Sequence, residues 1–293
     1  MEPPVRETVI GRTLAAALLA GALALAWLQS RSSLAQALRE GRPILGWLRL
    51  DGPAEELHLA VYHPAQRAMD LVYLPAGPRA KGGPSIEAAA AQLASLAPSA
   101  GIGSSLPVWR GTLPAASEEP PLDAADWMTR NAHGPRTWLQ PRRLPGAAAW
   151  PLFDRLLLAL EFQRLGPADL RPAWLPSDDQ AAGLLARLTS GSAASPSQDR
   201  ITVEVLNATA EPGIASRAKN ILRLRGADVM SVGNVGRQDR TVVYDRTGRF
   251  EAAAAVARML GCPTARPLTQ VDLKRLVDVS VVLAEDCPLP RGT

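Results

Sequence analysis

The chain has 293 residues, 47% hydrophobic and 4% aromatic, which gives room for two ordinary domains and is too apolar for wholesale disorder. Its net charge is +4, and acids are interspersed with arginines, as at Asp239-Arg240 and Asp245-Arg246. Nucleic-acid binders gather basic charge on one face or tail, so the composition speaks against nucleic acid as a partner.

From Thr13 to Ser30 no charge interrupts the chain, and Arg12 and Arg31 flank the stretch. It is apolar all round, unlike the one-sided helix of a soluble core. A helix rising ~1.5 Å per residue over this length just reaches across ~30 Å of hydrocarbon, and Trp27 stands where an interfacial aromatic sits. Residues 1–31 are read as a cytoplasmic tail and membrane anchor. A cleaved signal peptide, with Ala35-Gln36-Ala37 at the cut, is the competing reading. Both export the rest. The first makes a single-pass protein of the cytoplasmic membrane with its bulk extracytoplasmic.

A polar stem, Ser32 to Glu40, leads into a first region over residues 41–188. Ile44 to Leu50 and Leu57 to Tyr62 read as strands around the turn Asp51-Gly52-Pro53. Met69 to Leu74 is a third, reached through His63-Pro64-Ala65-Gln66. Ser85 is placed to cap a helix to Leu96. Residues 98–150 are dense in Pro, Gly and Trp and carry no readable periodicity. Leu152 to Leu165 reads as a helix with Phe153, Leu156, Leu157 and Leu160 on its apolar face, and Gln180 to Leu188 as another. Small polar residues from Thr189 to Asp199 form a linker.

Residues 200–288 are patterned more sharply. Ile201 to Leu206 alternates as a strand. Ile214 to Arg225 is a helix stopped by Gly226. Asp228 to Val232 and Thr241 to Tyr244 are strands, Phe250 to Leu260 is a helix closed by Gly261, and Val277 to Leu283 is the last strand. The order is β-α-β-β-α-β, and the expected form is two helices on one face of a four-stranded antiparallel sheet. The chain as a whole is placed in the α+β class.

Most potential sites have plain readings. His58 and His63, five apart on a strand, point to opposite faces, and no metal site is expected. Gly101-Ile-Gly-Ser-Ser lacks the lysine of a phosphate loop, and Ser104 and Ser105 lack a nucleophile-elbow frame. Glu118, Glu119, Asp123 and Asp126 lie in a Pro-rich stretch and read as a solvated face. Arg136, Arg142 and Arg143 form the densest basic cluster, and His133 is isolated. Asn207 ends a strand, where such a residue shapes its own turn or meets a polar ligand. Gly213 and Gly233-Asn234 read first as backbone geometry. Cys262 and Cys287 either pair as a disulfide in an oxidising compartment or stand as two thiols.

The run Val203-Glu-Val-Leu-Asn-Ala-Thr-Ala-Glu-Pro-Gly-Ile-Ala215 resembles the opening of the LytR C-terminal domain family. Val229 to Asn234 and the closing Val277-Asp-Val-Ser-Val-Val-Leu283 resemble its later pieces, so the likeness covers residues 201–287. It makes Asn207, Gly213 and Asn234 ligand-binding candidates. That domain often follows a LytR-CpsA-Psr catalytic domain, which moves glycopolymers from polyprenyl-pyrophosphate carriers to the cell wall. Leu48-Arg-Leu-Asp51, Leu57 to Pro64 and Met69 to Pro75 are similar to that family's first strands. Its Arg-x-Asp is replaced by Ala54-Glu55-Glu56, and its Pro-Arg-Asp by Pro75-Ala76-Gly77. A pyrophosphate site needs guanidinium groups for the oxygens and carboxylates for a divalent ion, and Asp51, Glu55, Glu56 and Arg79 supply that set only in displaced positions. The resemblance therefore implies a membrane-bound cell-envelope protein without catalysis or cofactor, holding a wall polymer or partner protein through its C-terminal domain. The alternative it implies is a Mg²⁺-dependent phosphotransferase acting in cell wall biogenesis.

Overall fold

A computed structural model describes residues 31–75, 85–115, 117–131, 152–190 and 200–289, with Ala15–Ala17, Leu19–Gly21, Ala24 and Trp27. Arg79, His133, Arg136, Arg142, Arg143 and linker residues 191–199 lie outside the described residues. Among the described residues no helix is long and apolar enough to cross a membrane. Thr13 to Ser30 is described only in part, and its described positions are helical and exposed, with Leu19 at 64% and Trp27 at 59%.

The strands are β1 (Ile44–Asp51), β2 (Glu56–His63), β3 (Ala68–Leu74), β4 (Val108–Thr112), β5 (Leu170–Trp174), β6 (Thr202–Asn207), β7 (Asp228–Asn234), β8 (Val242–Asp245), β9 (Arg266–Thr269) and β10 (Val279–Leu283). The helices are α1 (Ser33–Glu40), α2 (Ile86–Leu96), α3 (Pro120–Asn131), α4 (Leu152–Phe162), α5 (Asp178–Ser190), α6 (Ile214–Leu224) and α7 (Phe250–Leu260). All ten strands form one mixed sheet, ordered β4-β1-β2-β3-β5-β9-β8-β10-β6-β7.

In the first half, both faces of the sheet are covered. Leu48, Leu50, Tyr62, Met69 and Leu71 pack under α1, α3 and α4, while Trp47, Leu59, Val61 and Val72 pack under α2 and α5. Every residue of β2 is therefore buried, as in strands walled on both sides. Ser32 Oγ caps α1 at 3.0 Å from Ala35 N, and Ser85 caps α2 as its position predicts. Gly111 lies under the Trp127 indole, where a Cβ would overlap the ring. The apolar face expected of α4 is rotated: Asp154, Leu158, Ala159 and Phe162 are buried, and Leu156 and Leu160 are exposed. Asp154 turns inward because it accepts from Ser32 Oγ at 2.7 Å.

The C-terminal half corrects the expected four-stranded antiparallel sheet. An unread strand, β9, follows α7, so the order is β-α-β-β-α-β-β. β7, β6 and β10 run parallel to one another, β8 and β9 are parallel, and only β8 with β10 is antiparallel. The physical reason is that α6 carries the chain from β6 to β7 and α7 carries it from β8 to β9, and such crossovers join parallel strands. Both helices lie on one face, against Val203, Val205, Val243 and Val281. The chain is thus mixed α/β across one continuous sheet, not segregated α+β.

The halves meet at one strand pairing, Ala173 opposite Thr269. Helix α3, in the unreadable stretch, braces it. Leu122 packs on Val242, Tyr244, Leu268 and Val282 of the second half, while Trp127 and Met128 pack in the first. Glu119, just before the helix, accepts from Trp174 Nε1 at 3.1 Å and from the Tyr244 hydroxyl. Asp126 holds Arg266 at 2.6 Å and Arg240 at 3.4 Å. Replacing Glu119 by Ala leaves two donors without their acceptor and should cost about 2–3 kcal/mol, read as a lower urea midpoint. An unchanged midpoint would remove Glu119 from the brace.

Candidate functional site

Four places hold the sequence-derived residues. At the β1–β2 hairpin, Arg49 sits two residues before Asp51 and so shares its face. Its Nε lies 3.1 Å from Asp51 Oδ1 and its Nη2 2.8 Å from Glu55 Oε2. Glu56 stands opposite Leu50, on the other face. The structure therefore brings Asp51 and Glu55 together around an arginine and turns Glu56 away from them.

Glu56 belongs to a buried seam beneath α3. It is 1% exposed and its Oε2 lies 3.1 Å from His58 Nε2. The His58 ring meets Tyr73 at 5.3 Å, and Tyr73 meets Trp174 edge-on at 5.1 Å. Trp174 and Tyr244 share Glu119, and Arg246 stacks on Tyr244 at 4.5 Å. Asp123, expected to be solvated, is buried at the head of α3, accepting from Ser117 N at 3.0 Å and Ser117 Oγ at 2.7 Å.

Burial, then the charge of Asp123, pushes Glu56 up to about 8, and burial pulls His58 down to about 3. Near neutral pH Glu56 is a neutral acid beside a neutral imidazole. Glu56 Oε1 and His58 Nδ1 find no hydrogen-bond partner among the described residues. This sealed pair packs the interior and offers a substrate no access.

At the end of β6, Asn207 Oδ1 accepts from Thr209 N and Oγ1, each at 2.8 Å, and its Nδ2 donates to Glu211 O at 3.1 Å. The side chain thus builds its own turn. Gly213, with φ of 78°, starts α6. Asn234 pairs with Asn207 in register and is exposed.

A cleft of about 680 Å³ opens where the halves meet, between the turn before β5 and the α7–β9 side of the second half. Arg171, Glu251, Arg258 and Arg266 line it with Cys262. Arg171 Nη2 lies 3.1 Å from Glu251 and its Nη1 donates to Gln66 at 3.0 Å. Cys262 and Cys287 are joined as a disulfide with Cα atoms 5.6 Å apart, which ties the α7–β9 turn to the segment after β10. Among the described residues no group of three His, Cys, Asp or Glu side chains is placed to hold a metal.

Sequence reading gave no role to Arg49, Arg171 or Arg266 and took Glu119, Asp123 and Asp126 for a solvated face, where the structure buries Asp123 and pairs the other two. Only Arg49 carried a local signal, its two-residue spacing from Asp51. The partners of Asp126 lie 114 and 140 residues away, and those of Glu119 lie 55 and 125 residues away.

The fold of the second half, two helices on one face of a mixed five-strand unit, is that of a small α/β module appended to a larger one. Residues 200–286 match the family described as LytR cell envelope-related transcriptional attenuator, so this part of the chain is a LytR C-terminal domain, as the residues from Val203 onward had indicated. The solution structure of the C-terminal domain of RV0431 is similar at 29% identity, covering 32% of this chain and 79% of that one, with a TM-score of 0.22. No curated protein matches the chain.

Two outcomes follow. Glu56 holds its proton from its unfolded value of 4.5 up to about 8, so its contribution to stability is full below pH 4.5 and is lost as pH rises through 8. His58 acts oppositely, its contribution being present above 6.5 and lost as pH falls toward 3. Glu56→Gln should therefore flatten the alkaline limb of a stability-against-pH curve, gaining on the order of 2–3 kcal/mol over wild type near pH 8.5. Parallel curves for the two proteins would contradict this. The disulfide has a sequence separation of 25, and replacing both cysteines by Ser should lower stability by about 3 kcal/mol, measured by denaturant titration of the oxidised protein.

Proposed function

We propose that this is a non-catalytic cell-envelope protein, anchored in the cytoplasmic membrane by its N-terminal apolar segment. The bulk of the chain is extracytoplasmic, and its LytR C-terminal domain holds a wall polymer or a partner protein. The match of residues 200–286 carries this reading, through the envelope association in the family's description. The disulfide supports an oxidising compartment. The uncharged run from Thr13 to Ser30, helical and exposed where described, supports the anchor.

The first region reads as a degenerate LytR-CpsA-Psr-like fold. The alternative, a phosphotransferase taking a polyprenyl pyrophosphate with Mg²⁺, asks for several guanidinium groups and free carboxylates converging on one face. Asp51 and Glu55 share the single guanidinium of Arg49, and Glu56 is a buried neutral acid on the opposite face. Among the described residues this donor set does not fit the metal and its diphosphate.

Two measurements test the reading. A reporter enzyme fused after residue 293 should be active only outside the cytoplasm; activity inside would end the envelope assignment. Thermal unfolding of the full chain with farnesyl pyrophosphate should be the same with and without Mg²⁺. A metal-dependent rise of several degrees that Asp51→Ala abolishes would establish the transferase instead.

A further inference from the structure

We infer that the cleft between the two halves is a binding site for an organic oxyanion, a phosphate or carboxylate carried on an apolar body. The inference stands on the cleft itself and goes beyond the proposed envelope role.

Its volume of about 680 Å³ falls within the roughly 300–1,000 Å³ of small-molecule sites, which favour domain junctions. Much of its wall is apolar: Phe250, Ala254, Ala257, Pro263 and Pro267 bring no side-chain hydrogen-bonding group. Among the lining residues, the charge is three guanidiniums, Arg171, Arg258 and Arg266, against the single carboxylate of Glu251. Asp126, which holds Arg266 from outside the cleft, still leaves the balance positive. Cations are therefore disfavoured and anions drawn in.

Two of the guanidiniums are already held in place, Arg171 on the α7 side of the cleft and Arg266 on its α3 side. Arg171 is fixed by Gln66 and Glu251 and lies 6.0 Å from the Phe250 ring centre. Arg266 is fixed by Asp126 at 2.6 Å. Each arginine has five donors in a planar fork, so these anchors leave donors for the paired oxygens of a phosphate or carboxylate. Arg258 stands on the outer face of α7, its Nε donating to Ala254 O at 3.3 Å, and can turn onto the same anion. An apolar body then lies along the Phe, Ala and Pro walls. Arg171 comes from the first half and the other two arginines from the second, so an occupant bridges the junction.

The test is calorimetric titration and thermal unfolding of the full chain in neutral detergent, with four probes: hexyl phosphate, hexanoate, inorganic phosphate and hexyltrimethylammonium. Burying two or three methylenes raises affinity by roughly 15–60-fold, so the better hexyl anion should bind at least about tenfold tighter than inorganic phosphate. The relative strength of the two hexyl anions identifies the head group. Hexyltrimethylammonium should not bind. Arg258→Gln removes an exposed charge, and Ala254→Trp fills the cleft while keeping its charge. Each should weaken the hexyl anion about tenfold or more without moving the ligand-free melting temperature by more than a few degrees. If Ala254→Trp fails to fold, Arg258→Gln with Arg258→Lys as its charge-conserving control decides the matter. Absent binding, a better hexyl anion that binds no tighter than inorganic phosphate, equal binding of hexyltrimethylammonium, or binding that the folded variants leave unchanged overturns the inference.

Discussion

The whole architecture depends on a helix that belongs to one half and binds both. Two sheet segments that touch through the single pairing of Ala173 with Thr269 have little reason to stay aligned, because one ladder contact is worth about as much as one hydrogen bond. Helix α3 and the residue before it change this by placing acids where both halves have donors. Glu119 takes the Trp174 indole and the Tyr244 hydroxyl, and Asp126 takes Arg240 and Arg266. Leu122 closes the apolar cluster between these anchors. Charge-assisted bonds made across a partly buried surface are stronger than exposed ion pairs, so a short helix suffices.

Concentrating acids there has an electrostatic consequence. Asp123 points to the same interior as Glu56, and two carboxylates with little water between them do not ionise together. Ser117 donates two hydrogen bonds to Asp123, and burial first, with the charge of Asp123 second, keeps Glu56 protonated. The carboxyl that looked available for catalysis is thus neutral because α3 has taken up its bracing position.

How far this could be read from the sequence follows from how local each cause is. α2, α6 and α7 are announced by Ser85, Gly226 and Gly261 together with helical spacing, all signals within one element, and they lie where the sequence predicts. β9 is four residues with Pro267 inside it; it shows no alternation and exists because a neighbouring strand holds it. α3 opens on Pro120-Pro121, and its acids resemble a solvated face until their partners arrive from up to 140 residues away. The inward turn of Asp154 had the same hidden cause, a serine 122 residues earlier. Asn207 was legible as a turn former because its partners, Thr209 and Glu211, are next to it. What the sequence hides here is consistently what long-range polar pairing decides.

That pairing also limits how the C-terminal domain works in this chain. Such a domain has two faces, one under its own helices α6 and α7 and one bare. Here the bare face, bearing Val242, Tyr244, Leu268 and Val282, is covered by Leu122 with Trp174 packed beside it. It is spent inside the molecule and is closed to a polymer or partner unless the junction opens. The surfaces left to the domain are the outer sides of α6 and α7, the strand edge at β7, where Met230 is 62% and Val232 40% exposed, and the cleft that the junction itself creates. Of these only the cleft requires the first half. A recognition that depends on both halves, and not on the C-terminal domain alone, can run through the surface that Arg171 shares with α7 and β9 or through the smaller one that Ser117 and Glu119 share with Gln238 and Arg240.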